Sequence, residues 1–204
     1  MPQNEIEKMI SAEQVASIVD KAVSELEYSE SKSRTSDYST FGYEWKPEKE
    51  RIMEMTMSVG ERTVTTKIPL PNQVDIGNIE IIEPKNGSAE DYFKRIYGPK
   101  TKEQKERAKE AVDRAAKSND EVDEKSAETI KNMVDKEVPN QEIAGIGDVA
   151  YWAENNTKGM IYVVTRVLHG NTMFKITTDV SEDTQEDLRV SKEIAKQIIA
   201  NCVQ

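Results

Sequence analysis

The chain has 204 residues, enough for one domain with a substantial core, and a net charge of −10 with 32% charged and 36% hydrophobic residues. No basic cluster interrupts this acidity, so binding to a nucleic-acid backbone is disfavoured. One cysteine and one histidine argue against an internal disulfide framework and against a structural zinc site.

Met1 to Lys8 is polar and reads as structureless, as it would in a chain that begins after a removed leader. No apolar run approaches the roughly 18 residues of a membrane span. Ser11-Ala12-Glu13-Gln14 has the spacing of a capping box. Val15, Ile18, Val19, Ala22 and Leu26 follow at helical spacing, which predicts a first helix from about Ala12 to Glu27. Ser29 to Asp37 reads as a loop. Phe41, Tyr43 and Trp45 then share one face of a strand, and Met53, Met55, Met57 and Val59 share one face of the next. With a turn at Lys46 to Lys49, the two predict a hairpin whose aromatic and methionine faces enter one core.

Val64, Thr66, Ile68 and Leu70 alternate, but Pro69 and Pro71 restrict that run to an edge or an end. Ile79 to Ile82 predicts a short strand and Ala89 to Tyr97 a short helix. Residues 100–137 hold 21 charged groups, 10 basic and 11 acidic, with one narrow apolar stripe per helix. They predict two helices divided near Ser118-Asn119-Asp120, with a flexible charged insertion as the competing reading.

The C-terminal block is the most strongly patterned. A strand at Val149 to Ala153 is entered through Gly145-Ile146-Gly147. Met160 to Leu168 and Thr172 to Val180 alternate about a Gly170-Asn171 turn, which predicts an antiparallel hairpin. Asp183, with Glu186 three residues on, opens a final helix with a stripe of Leu188, Ser191, Ala195, Ile198 and Cys202. The whole predicts an α+β fold: an antiparallel sheet covered by N- and C-terminal helices, one domain over residues 1–204, with a charged helical insertion at 99–139.

Three runs carry a family resemblance: the capped Ile10-Ser11-Ala12-Glu13-Gln14-Val15, the aromatic strand Tyr43-Glu44-Trp45, and Gly145-Ile146-Gly147-Asp148-Val149-Ala150-Tyr151-Trp152. With the Gly-Asn hairpin and an Ala/Ile-rich closing helix, the chain resembles small bacterial envelope lipoproteins of unknown function with a PsbP-like α/β sandwich. The resemblance covers about two-thirds of the chain and leaves residues 60–140 outside. Cysteines that the family often carries near the first helix and strand are absent here. It implies an envelope location, with tethering through a leader outside this chain, and a non-enzymatic role. It transfers no catalytic residue.

Read residue by residue, the candidate sites lean to structure. His169 sits at a hairpin corner, where a turn residue in water is a better reading than a triad or metal site. Met53, Met55 and Met57 have strand spacing, so a core face is favoured over Cu(I) binding. Gly145 to Asp148 lacks the Lys-Ser/Thr pair of a phosphate loop, and Asp148 reads as an anchor for a turn. Cys202 reads as a buried, inert thiol. No catalytic, cofactor or metal residue is assigned. The candidate surface for a ligand or partner is Asp148, Tyr151, Trp152 and Tyr162. The leading functional expectation is a non-enzymatic envelope protein that binds a protein partner or small ligand through its sheet face or a cleft beside the insertion. The alternative is a cytoplasmic acidic interaction or immunity-type protein, steered to a basic partner. An enzyme would need a pocket lined by residues such as Asp148, Tyr151 and Glu154. Exposed edge strands leave a homodimer open.

Overall fold

The computed structural model describes residues 9–32, 39–60, 62–118, 124–136, 138–157 and 160–202. The fold is α+β. Its main sheet has seven antiparallel strands: β1 (Glu27–Lys32), β2 (Ser39–Trp45), β5 (Asn72–Ile81), β9 (Thr172–Asp179), β8 (Met160–His169), β7 (Val149–Thr157) and β6 (Gln141–Glu142), in that spatial order. Two further strands, β3 (Ile52–Val59) and β4 (Arg62–Pro69), pair with each other and, among the described residues, with no other strand.

Helix α5 (Thr184–Cys202) packs on one face of the sheet, and α1 (Ala12–Val19) packs on α5 and buries Val15 in the same core. The predicted period-two faces meet there. Val163, Thr165 and Val167 of β8 and Phe174, Ile176 and Thr178 of β9 are all buried, as are Phe41, Tyr43 and Trp45 of β2. The α5 stripe of Leu188, Ser191, Ala195 and Ile198 lies against them. Its one hydroxyl is satisfied: Ser191 Oγ donates to Thr165 Oγ1 at 2.7 Å, both residues being fully buried.

Helix α2 (Ala89–Tyr97) packs on the other face, where Phe93 meets Val149, Tyr151, Leu168 and Met173. Ser88 caps it and exchanges hydrogen bonds with Asp91. Helices α3 (Lys102–Ser118) and α4 (Glu124–Lys136) pack chiefly on each other and are tied by Lys131–Asp113 at 2.5 Å. Their predicted division falls outside the described residues at 119 and 120.

Four expectations are corrected. The first helix stops at Val19, because Asp20 takes a left-handed conformation (φ 53°) and Lys21 N–H closes on the Ala16 carbonyl. A short 3-10 turn follows, and then β1, which takes the first part of the expected loop, Ser29 to Lys32; the rest of that loop, 33–37, lies outside the described residues. Glu-Tyr-Ser-Glu-Ser-Lys shows no apolar alternation because β1 is an outer strand with a charged edge. The expected hairpin of β2 with β3 does not form. β2 pairs with β1 and β5, so the aromatic face is buried in the main core while the methionine face goes elsewhere. Of the short strand expected at Ile79 to Ile82, Ile79 to Ile81 is the end of the ten-residue β5, which bulges between Gly77 and Glu80.

Candidate functional site

The Gly145–Trp152 run builds a clasp. Gly147 adopts φ +55°, and a Cβ there would overlap the Leu168 carbonyl oxygen and sit 3.0 Å from Val167 Cγ1. Asp148 N–H donates to the Leu168 carbonyl at 2.8 Å, and Asp148 Oδ2 accepts from Gly170 N–H at 2.6 Å. Asp148 is thus the expected anchor, but of the β8–β9 turn. Gly147→Ala combines a disfavoured φ with a backbone clash and is expected to cost about 2–4 kcal/mol. Gly145→Ala, also at positive φ (+77°) but in open space, should cost only about 1–2 kcal/mol. Chemical denaturation of the two variants measures the difference.

The four candidate surface residues do not form one patch. Tyr151 is 4% exposed and stacks on Phe93 with ring centroids 5.9 Å apart. Trp152 points to the opposite face and packs against the main core. Tyr162 shares the Tyr151 face but lies toward the other end of the strand pair, opposite Asn155. Glu154 accepts from Thr184 Oγ1 at 2.8 Å on the α5 face, so Asp148, Tyr151 and Glu154 do not converge.

A different set of residues converges at the base of the β3–β4 ribbon. Arg51 enters β3, Asn72 opens β5, Asp179 ends β9 and Asp187 lies in the first turn of α5. The Arg51 guanidinium donates to Asn72 Oδ1 at 3.1 Å, to the Asp179 carbonyl oxygen at 3.2 Å, and to Asp179 Oδ1. This ion pair is nearly dry, with side chains 12% and 6% exposed. Burial raises the Asp179 carboxyl above its ordinary range, and Arg51 opposes that rise.

Asp187 is 1% exposed. Its Oδ1 accepts from Val180 N–H and Ser181 N–H, both at 3.0 Å, while its buried Oδ2 has no partner among the described residues. Burial pushes this carboxyl up to about 7. The two backbone hydrogen bonds oppose the shift, Asp179 adds to it and Arg51 counters it. Two carboxylates and one guanidinium therefore share a low-dielectric site where the ribbon leaves the body.

A cleft and a groove adjoin this base. The cleft, about 530 Å³, has Trp45 and Val190 among its apolar residues, and Lys21, Glu48, Lys49 and Arg51 among its polar ones. Lys21 is paired with Glu48 at 2.9 Å. The groove, about 450 Å³, lies between the ribbon and the end of the β7–β8 pair. Both are separate from α3 and α4, beside which the cleft was expected.

The ribbon has two unlike faces. Met53 pairs with Ile68, Met55 with Thr66 and Met57 with Val64, so three methionines, Val64 and Ile68 share one side. Glu54 with Lys67 and Thr56 with Thr65 share the other. The methionine face is not in the core: Met57 is 48% exposed and Val64 44%. Strand spacing showed the face, but nothing local showed that it would lie outside the core.

His169 and Cys202, read separately in sequence, line one mainly apolar cavity of about 450 Å³ with Met9, Phe174 and Ile198. Cys202 is exposed, which corrects the buried reading: the last turn of α5 presents it to solvent. Local burial nonetheless raises its thiol above the ordinary value. Iodoacetamide should label it fully in the folded protein, more slowly than a free cysteine, with the rate still climbing at about pH 9.

Among the described residues, no helix is long and apolar enough to cross a membrane. Comparison with protein-family models, with curated proteins and with solved structures finds no match for this chain.

Proposed function

We propose that the chain is a non-enzymatic, envelope-associated binding protein that engages a protein partner through the β3–β4 ribbon and its base. The observation that carries this reading is the ribbon itself. A two-stranded ribbon alone is marginal in water, yet among the described residues this one pairs with no other strand, and its methionine face holds Met53 and Met55 half-buried and Met57 and Val64 exposed. Methionine is the side chain best able to repack against a partner. The Arg51 cluster supplies a rigid footing for that contact. The envelope address rests on the resemblance of the Ile10–Val15, Tyr43–Trp45 and Gly145–Trp152 runs. The ribbon serves a cytoplasmic acidic interaction protein equally well, and fractionation of the source cell separates the two addresses.

A photo-crosslinking residue placed at Met57, and in a control at Lys192 on the polar side of α5, tests the role in the source cell. A discrete crosslinked species at position 57 and none at 192 is the expected result. Silence at 57, or the same species from both positions, would refute it.

A further inference from the structure

The groove beside the ribbon has a chemistry that narrows the partner. Its apolar part is Ile52, Met53, Leu70, Met160 and Ile161, and Ile52 and Ile161 are 47% and 36% exposed. Its charged side chains are Glu50, Glu54 and Glu182, with Arg51 as the one cation among the lining residues. That cation is committed to Asp179. Glu54 shares a solvent-exposed contact with Lys67 at 3.5 Å, a weak screened pair. The groove therefore sets apolar side chains beside three exposed glutamates at its rim, in a chain whose net charge is −10.

Ile52, Met53 and Glu54 are consecutive, so the groove meets β3 along its edge and not from one face. Among the described residues β3 pairs only with β4, which leaves its second edge for another strand. A second copy of this chain would bring like charge to the rim. A cationic segment meets the opposite sign and is steered to it.

We infer that this groove takes an extended segment of a partner polypeptide in which basic residues alternate with apolar ones, added as a strand along the free edge of β3. Apolar side chains of the segment meet Ile52, Leu70 and Ile161, basic side chains meet Glu50 and Glu182, and the segment backbone pairs with the strand. The inference rests on the reading of the ribbon as the docking element.

The test uses the full chain and a ten-residue peptide of alternating lysine and valine. Two controls match its length, one alternating glutamate and valine and one alternating lysine and glycine. Fluorescence anisotropy should give salt-sensitive binding for the lysine–valine peptide. Binding should be about tenfold weaker for lysine–glycine, and absent for glutamate–valine. Backbone amide shifts should move at residues 52–54, 160 and 161. The exposed double change Glu50→Lys with Glu182→Lys should weaken binding about tenfold with the thermal midpoint unchanged. Equal binding of all three peptides, shifts confined to another surface, or full affinity in the double variant would overturn the assignment. A stable dimer in sedimentation that buries residues 52–54 would overturn it in favour of a second copy. Failure here with a positive crosslink at Met57 removes only the partner chemistry, whereas silence at Met57 removes the ribbon reading beneath it.

Discussion

Arg51→Ala is expected to destabilise the protein by about 3–5 kcal/mol at pH 8, and by clearly less at pH 5. Removing the guanidinium leaves Asp179 without its cation, 6% exposed, beside the equally buried Asp187. At pH 8 both must stay ionised without a counter-charge or take up protons against the solution. At pH 5 they are protonated more readily, so less of the penalty remains. Urea unfolding at the two pH values measures this. An ion pair this dry is weak evidence of net stabilisation, because desolvation offsets much of the attraction. Hence Arg51→Met combined with Asp179→Leu should recover most of the loss. A double variant no better than Arg51→Ala would instead assign the cost to the hydrogen bonds with Asn72 and the Asp179 carbonyl.

Asp187→Asn carries the second large effect, with the opposite sign. The native carboxyl keeps its proton up to about pH 7, whereas an unfolded aspartate releases it near about pH 4. Between those values the native state binds more protons than the unfolded one, so stability falls as pH rises. This contribution is complete below about pH 4 and is lost through about pH 7. Asparagine keeps the acceptor used by Val180 and Ser181 N–H and cannot ionise. The variant should match the parent near pH 4 and exceed it at pH 8 by up to about 4 kcal/mol, the equivalent of the shift. Denaturation midpoints from pH 4 to 8 give the test. A parent curve that is flat across that window, or parallel to the variant's, would place the Asp187 carboxyl in an ordinary environment.

What the sequence made legible depended on where each side chain's partner lay. β8, β9 and α5 were readable because their apolar periods are complete: β8 and β9 pair side by side and bury one shared face against α5. Phe41, Tyr43 and Trp45 were readable as a buried face for the same reason. β3 showed the same period, yet its methionines line a ribbon outside the core, since periodicity reports a strand and not what lies opposite it. β1 had no period to read, because an outer strand of glutamate, serine and lysine looks like a loop. The Arg51 base was beyond local pattern: Arg51 and Asp179 are 128 positions apart, and Asp187 looks like an ordinary first-turn acid until the Val180–Ser181 backbone folds over it. The Gly145–Asp148 signal was real, and it marked a close approach of Gly147 to Leu168.

Amide hydrogen exchange on the free protein, at a concentration where sedimentation shows a monomer, reads out whether the β3–β4 ribbon stands apart from the body. The ribbon is held by its own ladder and by its Arg51 footing, whereas β8 and β9 lie within a seven-stranded sheet beneath α5. Amides of residues 53–58 and 63–68 should therefore exchange orders of magnitude faster than those of 163–167 and 174–178, and should slow when the partner is added. Ribbon amides as slow as those of β8 and β9 in the free monomer would show that the methionine face is already covered and that the ribbon is not a docking element.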